Sequence, residues 1–89
     1  MEKHVLIFSA SWCGPCNQMK YYVWQNKNVQ KALSKFDSVQ KIDIDANKAM
    51  ATTYQVNSVP RVYVVNKEGR PLKAAGFMGV DQALEFLND

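Results

Sequence analysis

Eighty-nine residues, 47% of them apolar and 21% charged, describe one small domain with a core just large enough to fold without added cross-links. The net charge is +3 and the lysines are dispersed, which excludes the dense basic face, interleaved with aromatics, that nucleic acid requires. No stretch is long and apolar enough to span a membrane, and Met1-Glu2-Lys3-His4 leads into a strand-like run without a secretory leader, so a cytoplasmic protein is expected.

Val5-Leu6-Ile7-Phe8 is a continuous apolar run that predicts a buried strand over 4–9, and Ser9-Ala10-Ser11 breaks it. From Gly14 the chain turns to helix formers. Met19, Tyr22 and Val23, at helical spacing, predict a helix to about Gln25. Asn26-Lys27-Asn28 interrupts it, and Val29, Ala32, Leu33 and Phe36 resume an apolar stripe, so the helical arm reads as long and broken near residue 27. Lys20, Lys27, Lys31 and Lys35 fall on the solvent side of that spacing, whereas Tyr21 and Trp24 read as packing residues. Val39 to Ile44 is the second strand. Asp43 suits a solvent face, and Asp45 and Asn47 are candidate caps for a short helix through Tyr54.

Asn57-Ser58-Val59-Pro60 is a turn, followed by the β-prone run Val62-Tyr63-Val64-Val65. Asn66-Lys67-Glu68-Gly69 suits a hairpin loop in which Gly69 takes positive φ, and Leu72 to Ala75 is the return strand. Val80, Ala83, Leu84 and Leu87 mark a closing helix over 80–87. The order is β-α-β-α-β-β-α, an α/β fold with a mixed sheet of about four strands, its first βαβ a parallel unit.

The chemistry concentrates in Trp12-Cys13-Gly14-Pro15-Cys16, which holds the only two cysteines of the chain. A C-x-x-C at a strand-to-helix junction beside a βαβ pattern reads as a redox pair rather than a structural staple. At the start of the helix, Cys13 meets unpaired backbone N–H groups and the positive end of the helix dipole, which favour the thiolate. Such a pair needs one exposed thiol, Cys13, and one shielded partner, Cys16, one turn inside. Gly14 lets a partner backbone approach, and Pro15 is tolerated in a first turn where no amide donor is needed. Two cysteines and the single His4 cannot complete a four-ligand metal cage within one chain, so no metal is expected; a cluster shared between two chains is the remaining metal reading.

Trp12-Cys13-Gly14-Pro15-Cys16 resembles the thioredoxin active site in full, and the similarity runs from Val5 to Leu87. Val59-Pro60 matches the proline that the family places opposite the cysteines. This implies a cis bond at Pro60 and a Val59 backbone that pairs with an extended substrate. Gly76 matches the glycine that leaves room for that substrate, with Trp12, Gly14 and Pro15 as the rest of the contact surface. Lys41, in Lys41-Ile42-Asp43-Ile44-Asp45, falls where the family keeps a buried or half-buried lysine near the site, a candidate for proton transfer. The resemblance implies a minimal thioredoxin fold and a protein disulfide oxidoreductase with Cys13 as nucleophile and Cys16 as resolving thiol. It needs no cofactor beyond the Cys13–Cys16 disulfide. Its partners would be disulfide-containing proteins, with thioredoxin reductase or glutathione as electron source, and the chain is expected to act as a monomer.

The chain also departs from that family. It is expected to start without the extra strand and helix that precede the first strand in full-length members, leaving a core of glutaredoxin size. The buried acid six residues before the nucleophilic cysteine is Ile7, and the aromatic four before it is Ser9. The helix-kinking proline is Tyr21, Arg61 replaces a residue that is commonly threonine, and about three extra residues separate Cys16 from Lys41. Two alternatives stand beside the main reading. One is a glutathione-fed, glutaredoxin-like enzyme, although Gly14-Pro15 and the wide Pro60-to-Gly76 spacing fit it less well. The other is a non-catalytic binding subunit on the same fold.

Overall fold

The computed structural model describes residues 1–89. Four strands, β1 (Lys3–Ser9), β2 (Ser38–Asp43), β3 (Arg61–Asn66) and β4 (Pro71–Ala75), form one sheet in the order β2-β1-β3-β4. β1 runs parallel to β2 and antiparallel to β3, and β3 runs antiparallel to β4. The helices are α1 (Gly14–Tyr22), α2 (Lys27–Leu33), α3 (Lys48–Thr53) and α4 (Val80–Asn88).

The apolar run in β1 follows from its central position, because a strand covered on both faces has no solvent side on which to alternate. Val5 and Ile7 join Val62 and Val64 of β3 in the larger core, packed with Met19, Val23, Val29, Leu33, Ala83 and Leu87. Leu6 and Phe8 point the other way and meet Ile42, Tyr63 and Val65, with Met50 and Tyr54 from the α3 side. Three helices therefore cover one face and α3 covers the other. Phe8, Tyr54 and Tyr63 form a mutual aromatic cluster with ring centroids 5.6–5.8 Å apart, a spacing typical of tilted and edge-on pairs.

The helical arm is two helices, and the break comes earlier than the sequence pattern suggests. α1 ends at Tyr22, and the Asn26 side chain caps α2 by accepting from the N–H groups of Asn28 and Val29. Cys16, Met19 and Val23, at i, i+3 and i+7, set the buried face, and Tyr22, the last residue of α1, lies about a quarter turn off it and is 71% exposed. Tyr21 is likewise 60% exposed and not a packing residue, whereas Trp24 is buried as expected. Asn47 caps α3 through the Met50 N–H; Asp45 does not cap it. The hairpin loop is closed by Asn66, whose side-chain Oδ1 accepts from the Glu68 and Arg70 N–H groups, and Gly69 takes φ +82°.

Candidate functional site

β1 delivers the chain to the carboxyl edge of the sheet and α1 starts there, so the Trp12–Cys16 segment lies across that edge. The turn is set by the Cys13 N–H, which donates to the Ala10 carbonyl at 3.1 Å. Cys13 is the N-cap of α1: its Sγ accepts from the Cys16 N–H at 3.1 Å, one of the amides a helix start leaves unpartnered. Cys13 and Cys16 are joined in a disulfide with their Cα atoms 5.2 Å apart.

Two other segments complete the surroundings. The Val59–Pro60 peptide bond is cis, and the Val59 carbonyl oxygen lies 3.6 Å from Cys13 Sγ. A disulfide sulfur has no proton to donate, so in this state the approach is a packing contact; the reduced thiol would have a proton to offer there. A Cβ built on Gly76 would sit 3.8 Å from the Pro60 carbonyl oxygen, an ordinary contact distance. Gly76 therefore flanks the proline, and the small cluster of Ala10, Cys13 and Cys16 packs against Ile44 and Val59. Gly14 has nothing within 4 Å of the position its Cβ would take, so it and exposed Pro15 form an open lip. Trp12, 68% exposed, stands beside that lip and donates its indole N–H to Asp45 at 2.8 Å.

The structure thus brings Cys13, Cys16, Val59, Pro60 and Gly76 together, with Trp12, Gly14 and Pro15 on the adjoining surface. It differs from the sequence reading in two respects. Cys13 is not the more exposed of the pair: the residues are 4% and 5% exposed, because the Val59 loop covers Cys13 in the oxidised state. Lys41 is not buried but exposed, since it lies on the edge strand β2. In register opposite Ile7, it shares that residue's face of the sheet and lines a cavity of about 300 Å3 beside α1. Cys16 lines that cavity as well, whereas Cys13 does not.

Three features escaped the sequence reading. Asp45, taken as a helix cap, anchors Trp12 instead; nothing in local spacing links residues 33 apart. Asp43, read as a solvent-facing strand residue, also closes the turn after β2, with Oδ1 accepting from the Asp45 and Ala46 N–H groups. The cavity itself depends on Ile7 and Ser9, noted in the sequence only as departures. No group of three or more His, Cys, Asp or Glu side chains converges on one point.

A cysteine pair spanning the first turn of a helix, faced by a cis-proline loop and linked as a disulfide, defines a thiol–disulfide oxidoreductase. The family model described as "Thioredoxin" matches residues 1–89, and the chain belongs to the thioredoxin family. It is 40% identical over 86 residues to a thioredoxin-like protein of Synechocystis, covering 96% of this chain and 76% of that one. It is 36% identical over 93 residues to a thioredoxin of Mycolicibacterium smegmatis, covering 99% and 79%. Among solved structures, the oxidised C-terminal domain of DsbD from Neisseria meningitidis superposes with a TM-score of 0.81 at 28% identity, covering 98% of this chain and 78% of that one.

Proposed function

We propose that this protein reduces protein disulfides by dithiol exchange, with Cys13 as nucleophile and Cys16 as resolving thiol, acting as a single domain over residues 1–89. The observation that carries the assignment is the position of Cys13 Sγ between the Cys16 N–H at 3.1 Å and the Val59 carbonyl at 3.6 Å. The first contact favours negative charge on Cys13, as an unpaired helix-start amide does. The second places that sulfur beside the loop that would pair with an extended substrate.

In the forward direction the Cys13 thiolate attacks one sulfur of a substrate disulfide, and the other substrate sulfur leaves as a thiolate and takes up a proton. Cys16 gives up its proton and attacks Cys13 Sγ. The remaining substrate sulfur then departs as a thiolate, leaving the Cys13–Cys16 disulfide. Trp12, Gly14, Pro15, Val59, Pro60 and Gly76 form the surface on which the substrate segment rests. Thiol exchange needs no further cofactor; thioredoxin reductase or a small thiol such as glutathione resets the pair.

The family's acid is replaced by Ile7, so the Cys16 proton leaves to water, to Lys41 or to the departing thiolate. The cavity that Cys16 and Lys41 both line supports a route on that side. On this reading the protein acts as a monomer in a reducing, cytoplasmic setting. The test is the initial rate of reduction of a model protein disulfide with dithiothreitol as terminal reductant. Wild type is expected to accelerate it, and the Cys13→Ser/Cys16→Ser double variant to match the uncatalysed rate. Equal rates for both proteins would favour the binding-subunit reading.

A further inference from the structure

The Val59 carbonyl that faces Cys13 Sγ belongs to a segment with few ties of its own. After α3 the chain turns at Gln55, whose φ is +54°, and the Val56 N–H donates back to the Ala51 carbonyl at 2.8 Å. This closes α3 in the manner of a left-handed helix cap. Beyond it, Asn57 and Ser58 make no hydrogen bond within the chain. The loop is therefore placed by the packing of Val56 and Val59 on the α3-side core and by what holds its two ends.

Those ends are joined through one side chain. Tyr63 of β3 turns to the α3 face, and its hydroxyl donates to the Tyr54 carbonyl at 3.0 Å. Tyr54 is the C-cap of α3 and precedes the loop, whereas Tyr63 follows it, so a single bond spans the whole segment. The bond satisfies a carbonyl that a helix end leaves without a partner. The Tyr63 ring is itself held between Phe8 and Tyr54, with centroids 5.8 and 5.6 Å away. Arg61, which follows Pro60, adds to the brace: its guanidinium carbon lies 5.5 Å from the centre of the Tyr63 ring. Its Nε donates to Tyr63 Oη over 3.4 Å, a long contact. Arg61 forms no ion pair, since the one in the molecule joins His4 and Glu2. The Tyr63 hydroxyl thus donates to Tyr54 and accepts from Arg61, and both of its roles are filled.

We propose that Tyr63, oriented by Arg61, is a positioning residue for disulfide exchange: its hydroxyl braces the loop so that the Val59 backbone is in place before a substrate segment arrives. The proposal rests on the functional reading above and adds the group that sets the substrate-pairing edge. Tyr63 belongs to the α3-side core and not to the cluster around the cysteines, so it acts on binding rather than on the sulfurs. A loop already held in place loses less conformational freedom when a segment pairs with it. Removing the brace weakens that pairing and leaves the chemistry of Cys13 as it was, because the Cys16 N–H that faces Cys13 Sγ belongs to α1.

The test compares wild type with Tyr63→Phe and Arg61→Gln. Tyr63→Phe keeps the ring between Phe8 and Tyr54 and removes only the hydroxyl. Its KM for a model protein disulfide is expected to rise on the order of fivefold with kcat little changed. Arg61→Gln should give a smaller rise, since its contact with the hydroxyl is long and the bond from Tyr63 to Tyr54 survives. Reduction of each oxidised protein by dithiothreitol, which has no segment to pair with the loop, should proceed at the wild-type rate. Backbone 15N relaxation should show lower order parameters at Asn57, Ser58 and Val59 in Tyr63→Phe, with Cys13 and Cys16 unchanged. An unchanged KM in an active enzyme, a dithiothreitol rate that falls in step with the rise in KM, or loop order equal to wild type would overturn the assignment. Failure of wild type itself to reduce the protein disulfide would instead strike the functional reading, and is told apart by needing no variant.

Discussion

The indole N–H of Trp12 donates to the Asp45 carboxylate at 2.8 Å, tying the residue before Cys13 to the turn that follows β2. Trp12 is 68% exposed, so this bond rather than burial fixes the ring at the edge of the site. Asp45→Ala frees it. An exposed charge-assisted bond contributes about 1 kcal/mol or less to stability, so the variant should fold with a thermal midpoint close to wild type. If Trp12 forms part of the substrate surface, KM for a protein disulfide should rise on the order of fivefold with kcat little changed. An unchanged KM would remove Trp12 orientation from the account.

Ile7 is 3% exposed and stands in register with Lys41, so Ile7→Asp restores the family's acid behind Cys16. A carboxyl placed there without full hydrogen bonding costs about 3 kcal/mol or more when ionised. Burial raises its pKa above the unfolded value, so on top of the pH-independent loss of Ile7 packing a further destabilisation should be absent below about pH 4 and grow as pH rises. Turnover should rise, and its pH profile should gain an ionisation absent from wild type. Denaturant midpoints and kcat against pH measure both effects; an unchanged rate and profile would show that proton removal from Cys16 does not need the acid.

Gly76 and Gly69 separate function from fold. At Gly76 a Cβ meets only the Pro60 carbonyl oxygen at 3.8 Å, and φ is not in the left-handed region, so Gly76→Ala should keep its stability within about 1 kcal/mol. Gly76→Leu adds a branched side chain beside Pro60 and should lower kcat/KM for protein substrates by roughly tenfold, the size of a lost 1.4 kcal/mol. An unchanged kcat/KM would remove Gly76 from the substrate surface.

At Gly69 the reverse holds. Its φ is +82°, and an added Cβ would lie 3.1 Å from Tyr54 Oη, whose hydroxyl donates to the Gly69 carbonyl at 2.7 Å. Gly69→Ala combines backbone strain with pressure on that bond and should cost about 1–2 kcal/mol, read as a lower denaturant midpoint. Turnover at a temperature where the variant is folded should match wild type.

The elements that could be read from sequence are those whose signal is local. The unbroken apolar stretch of β1, the hairpin at Asn66–Gly69 and the helix stripe of Val29, Ala32 and Leu33 each follow from spacing or turn chemistry. Tyr22 shows the limit of such a signal: it stands at i+3 from Met19, but the buried face runs through Cys16, Met19 and Val23 and leaves Tyr22 in solvent. The cysteines and the Val59–Pro60 loop were legible because their residue types are unusual and jointly specific. The Trp12–Asp45 bond, the burial of Cys13 under Val59 and the cavity shared by Cys16 and Lys41 arise between segments distant in the chain. Single-residue patterns carry no information on such contacts. Lys41 shows the limit from the other side, since its place on an edge strand makes it exposed.

The division of labour between the two cysteines is tested most directly by trapping mixed disulfides. Reduced Cys16→Ser and Cys13→Ser variants are mixed with a disulfide-containing protein, quenched in acid and analysed by intact mass. Cys16→Ser is expected to accumulate an adduct at Cys13, with Cys13→Ser forming little. Equal adducts on both variants, or an adduct on Cys13→Ser alone, would contradict Cys13 as the nucleophile.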